Sequence, residues 1–116
     1  MTCGLIPYLV QIARPMGKIS VQTFAVCAGS GASVLSALEN EPLDMILTGE
    51  LSHHEVLAAR AAGRFVALCG HAGSERGYLR VMRQKLQSEL DEIIGEHRVE
   101  VILSQKDKSP LEIFTH

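Results

Sequence analysis

His71 and Glu75 place an imidazole nitrogen and a carboxylate four positions apart. If the chain turns into a helix at Ser74, both come within reach of one cation, and such a mixed donor set suits Zn, Mn or Fe. Taken alone, the pair reads more readily as a surface histidine near a helix start, with a glutamate at the positive end of the helix dipole. Adjacent histidines, His53 and His54, follow Glu50 closely. At a helix start such neighbours point in different directions, so at least one faces outward. It serves there as a ligand, a ligand's support or a proton carrier near neutral pH; equally, one histidine caps and the other is solvated. Gly29, Ser30 and Gly31 leave backbone amides at a helix start that suit an anion. The run lacks both the lysine of a phosphate loop and the spacing of a dinucleotide fingerprint, which favours a tight structural turn. Arg76 and Arg80 either assist an anion or are solvated helix charges.

The elements that would position these groups follow from periodicity. Residues 21–28 form an apolar, partly β-branched run closed by the glycines, after which Val34, Leu35 and Leu38 recur at helical spacing. Residues 43–47 are a second strand. Ser52 and Glu55 then stand as a capping box, so a helix starts near His53, continues through alanines 58, 59, 61 and 62, and stops at Gly63. Residues 64–69 are a third strand. Ser74 is placed to cap a long helix whose stripe of Leu79, Met82, Leu86, Leu90 and Ile93 packs inward, and Gly95 closes it. Residues 98–103 give a fourth strand, and Ser109-Pro110 a turn. The pattern βαβαβαβ predicts an α/β fold: a mainly parallel sheet of alternating βαβ units, with helices covering the sheet. Every strand-to-helix loop then falls at one carboxyl edge, which gathers the three candidate clusters. Residues 1–19 read as a short N-terminal segment, with Leu9, Val10, Ile12 and Ala13 in an ordered piece. Residues 20–116 read as a single α/β domain.

Composition bounds the rest. With 116 residues and 47% apolar content, the chain supports one core. A net charge of −2 creates no strong field, so charge indicates neither a nucleic-acid nor a membrane partner. Cys3, Cys27 and Cys69 form an odd set without paired spacing, and Cys27 and Cys69 lie in apolar runs, as reduced core thiols do. No apolar stretch approaches the roughly 20 residues of a membrane span, and the expectation is a soluble, cytoplasmic protein.

Read together, residues 25–35 (AVCAGSGASVL), 47–54 (LTGELSHH), and Gly70-His71 with Ser74-Glu75-Arg76-Gly77 resemble the NIF3-like family, also described as type 2 GTP cyclohydrolase I homologues. The tail from Ser104 through Leu111 is similar to the family's ending, and the likeness runs from about Leu9 onward. This resemblance implies α/β halves assembled into ring-shaped oligomers with a pair of divalent metals in a cleft. It makes His71 and Glu75 metal ligands, and sets His53 and His54 beside the metals as catalytic candidates. The family's other ligands, including a second His-His pair and an aspartate, belong to an amino-terminal half that this chain does not contain. The expectation is therefore a carboxy-terminal portion that binds its metal weakly alone, with Glu50, Ser74 and the glycine loop lining the site. Two readings follow. One is part of a metal-dependent hydrolase acting on an anionic, nucleotide-like small molecule; the other is a non-catalytic oligomerisation or protein-interaction module.

Overall fold

The computed structural model describes residues 9–17, 20–112 and 114. Its elements run β1 (Gln11–Ala13), β2 (Phe24–Ser30), α1 (Ala32–Ala37), β3 (Met45–Glu50), α2 (His53–Ala61), β4 (Phe65–Leu68), α3 (His71–Arg76) and α4 (Leu79–Ile94). They fall into two compact units, residues 1–75 and 76–116.

The first unit is a four-stranded sheet in the order β1-β4-β3-β2. β2, β3 and β4 are parallel, so the alternation predicted for this stretch, with α1 and α2 as its crossovers, is formed. The fourth strand is β1, which pairs antiparallel with β4 and brings the N-terminal apolar piece into the sheet. Strand alternation sorts the side chains. Ala25, Ile46, Val66 and Ala13 share one row, and Ile46 and Val66 are almost wholly buried with Ala59 of α2, packed round by Leu35, Leu43, Leu51, Val56 and Leu68. Burying each of the two large side chains stabilises the fold by about 1.5–3 kcal/mol. The alternate row, Val26, Leu47, Ala67 and Ile12, lies on the opposite face, where Val26 and Ile12 stay 61% and 55% exposed.

Two polar anchors shape this unit. The buried Arg64 donates from one guanidinium nitrogen to the carbonyls of Leu38, Glu39 and Glu41, satisfying the chain that leaves α1. Asp44 accepts from the amides of Gln22 and Thr23, fixing the entry to β2 beside β3. The predicted capping box is present: Ser52 Oγ accepts from the Glu55 amide, and Glu55 accepts from the Ser52 amide at 2.7 Å. These backbone and hydroxyl bonds hold the Glu55 carboxyl below its usual range.

Several expectations are overturned. Residues 98–103 form no strand: Gln87 donates to the Val99 carbonyl and accepts from the Val101 amide, while Arg83 donates to the Val101 carbonyl, so α4 side chains take the place of a neighbouring strand. Ser74 does not cap α4; it lies within α3, and α4 begins after Tyr78 without a side-chain cap. The α4 stripe is not packed inward either, since no residue of that helix is buried and Ile93 is 75% exposed. Cys27 and Cys69 are free thiols, but half-buried rather than in the core; Cys3 lies outside the described residues.

Candidate functional site

Parallel pairing brings the carboxyl ends of β2, β3 and β4 to one edge. The ladder is extended there by bonds from the Gly31 amide to the Glu50 carbonyl, from Cys69 to Thr48, and from Gly70 to Gly49. A bulge shapes that edge: Cys27 pairs with Thr48 and Ser30 with Glu50, so Ala28 and Gly29 together oppose Gly49. Gly29 adopts φ 70°, a left-handed conformation that suits glycine, and its amide donates to Ser74 Oγ at 2.8 Å. Its carbonyl accepts from Thr48 Oγ1. Gly49 has no room for a side chain, because a Cβ there would lie 2.5 Å from the Gly29 carbonyl and 2.6 Å from Ser74 Oγ.

On this edge His71 stands between two carboxylates. Its Nδ1 lies 2.8 Å from Glu50 Oε1, and its Nε2 lies 3.2 Å from Glu75 Oε1. The Glu50 hydrogen bond, followed by the charge of Glu75, raises the imidazole above its ordinary value of 6.5. Gly29 lies close to this pair: a Cβ on it would meet Glu75 Oε1 at 2.6 Å and His71 Nε2 at 3.2 Å. The absence of a side chain at Gly29 therefore leaves both donor atoms approachable. Ser74 ties the arrangement together, donating its hydroxyl to the His71 carbonyl while accepting from Gly29.

The structure thus gathers Gly29, Glu50, His71, Ser74 and Glu75 from separate segments. Ser30 is exposed at the same edge, but the Gly29 and Gly31 amides are already engaged within the fold. His53 and His54 occupy the first turn of α2, exposed, with their rings edge-on and 6.1 Å apart. Neither ring makes a hydrogen bond or ion pair among the described residues. Arg76 belongs to the second unit and grips Asp107 through two guanidinium nitrogens, a contact that holds the Asp107 carboxyl below its usual range. Arg80 lines an open groove with Arg83 and Gln105. The pairing of Glu50 with His71 and the buried Thr48 bond were not read from sequence; the loose signal was that Thr48 and Glu50 directly follow the strand run 43–47, in a loop bound for this edge.

A divalent cation suits part of this set. Imidazole and carboxylate ligands at about 2.0–2.2 Å from a common ion lie about 3.0–3.5 Å from each other, which matches the separation of Nε2 and Oε1. Two ligands do not complete a site, and among the described residues no group of three or more His, Cys, Asp and Glu side chains is placed to hold a metal ion. No helix among them is long and apolar enough to cross a membrane.

Comparison with known proteins gives these features a context. Residues 7–110 match the family model Duf34/NIF3 (NGG1p interacting factor 3). NIF3-like protein 1 of Homo sapiens is 44% identical over 107 residues, covering 90% of this chain and 26% of that protein. NGG1-interacting factor 3 of Saccharomyces cerevisiae is 38% identical over 113 residues, covering 93% of this chain and 36% of that protein. The crystal structure of a Bacillus cereus protein related to NIF3 superposes with a TM-score of 0.62 at 21% identity, over 90% of this chain and 28% of that one. That likeness shows a shared fold. The chain spans about a quarter to a third of the length of the curated relatives it matches.

Proposed function

The chain belongs to the NIF3 family, and from that premise we propose that it contributes His71 and Glu75 to a divalent-metal centre used in hydrolysing an anionic small molecule. The observation that supports this reading most is the 3.2 Å separation of His71 Nε2 and Glu75 Oε1 beside a glycine that leaves them approachable. When bound, Zn, Fe or Mn supplies Lewis acidity, polarising an acceptor bond and lowering the pKa of water. His71 and Glu75 hold the cation. Exposed and next to each other, His53 and His54 are placed as the proton carriers of this reading, and Glu50, Ser30 and Ser74 line the approach. A cyclohydrolase reaction, the activity implied by the sequence resemblance, would direct water to a purine ring carbon; no described side chain selects GTP.

With two ligands from this chain, binding is weak, and further ligands come from elsewhere in the assembled protein. Elemental analysis and titration of the purified chain, beside His71→Ala and Glu75→Ala, test the reading. Metal held by the parent and lost in both variants is the expected result. Equal metal content in all three would sink it.

A second reading, a non-catalytic interaction or oligomerisation module, draws support from the exposed apolar row on β2, where Phe24 and Val26 are 65% and 61% exposed. The name of the yeast relative, an interacting factor, agrees with a protein partner. Tight association that persists in chelator, with no turnover, would favour this reading over the first.

A further inference from the structure

We infer that Glu50 is a positioning residue, whose carboxylate fixes the His71 tautomer so that the Nε2 lone pair is presented to a cation. The inference rests on the metal reading above and adds a role for a residue that is not itself a ligand. A carboxylate only accepts hydrogen bonds, so the 2.8 Å contact between Glu50 Oε1 and His71 Nδ1 requires the proton on Nδ1. A neutral imidazole carries one such proton, and placing it on Nδ1 leaves Nε2 free to ligate. Glu75 pulls the other way. Its Oε1 lies 3.2 Å from Nε2 and, with no competitor, would draw the proton onto the very atom that has to bind metal. Glu50 is the counterweight, and it is rigidly carried: its backbone is the last residue of β3, paired with Ser30 and bonded through its carbonyl to the Gly31 amide. A plain surface ion pair would show the same distance, but removing its charge would leave the tautomer of neutral His71 unchanged.

The test is a zinc titration by calorimetry of the parent chain, Glu50→Gln and His71→Ala, together with long-range nitrogen NMR of neutral His71 in the metal-free chain at alkaline pH. Glu50 is more than half exposed, so the glutamine variant should keep the parent's circular dichroism. Expected are an about ten- to hundredfold loss of zinc affinity in Glu50→Gln and a shift of neutral His71 from the Nδ1–H toward the Nε2–H form. Equal zinc affinity in the parent and Glu50→Gln, with binding abolished in His71→Ala, would overturn the positioning role and leave the metal reading standing. Failure of the parent to bind zinc would overturn the metal reading and this inference with it.

Discussion

His71 touches a carboxylate on each side, and its protonated form gains from both. A group whose pKa is raised on folding contributes stability that is fully present below its unfolded value, near 6.5, and lost as pH rises through the folded value. An NMR titration of His71 in the metal-free chain should therefore give a midpoint above 6.5, lowered in both Glu50→Gln and Glu75→Gln. An unmoved midpoint in both variants would refute the contacts. Gly29 supplies a second prediction: alanine there should cost about 1–2 kcal/mol from its left-handed backbone alone and more from the approach to Glu75, read as a lower urea midpoint. At this scale the four-residue spacing of His71 and Glu75 is visible in the sequence, but taken alone it reads more readily as a surface histidine near a helix start; the structure sets both on α3 with facing atoms 3.2 Å apart. Glu50 is read from sequence only as lining the site; its meeting with His71 depends on strand register across the sheet and on the left-handed backbone of Gly70.

Among the elements, α2 was the most legible, since Ser52 and Glu55 declare its start through bonds local in sequence. Ser52→Ala should lower stability by about 1 kcal/mol, moving the urea midpoint without changing the slope; a smaller effect than 0.3 kcal/mol, roughly, would mean that the cap is frayed in solution. Ser74 follows the same sequence rule and breaks it, because its hydroxyl has better-placed partners in Gly29 and His71. Residues 98–103 mislead for a related reason. Their β-branched alternation states a preference for extended chain, but whether a strand lies alongside is decided by the rest of the fold.

For the molecule as a whole, the alternation of strand and helix over β2 to β4 was readable because each crossover is local, and parallel direction then follows from connection geometry. The antiparallel β1 was not, as three residues carry too little pattern to fix a direction. Division into two compact units also bears on experiment. With Phe24, Val26, Ile93 and Ile102 all largely exposed, the chain should self-associate, and sedimentation velocity should show a sedimentation coefficient that rises with protein concentration. A constant monomer value would count against the interaction-module reading.

The side chain of Gln87 does the work of a strand, donating to the Val99 carbonyl and to Asp91 while accepting from the Val101 amide. That makes one amide group the point where a change of a single atom would be felt most in this unit. Deamidation to glutamate removes the donor and sets a negative charge against the Val99 carbonyl and the Asp91 carboxylate. The modified fraction alone should then lose the bond to the Val99 carbonyl, while the Val101 amide keeps its acceptor and Arg83 its bond to the Val101 carbonyl.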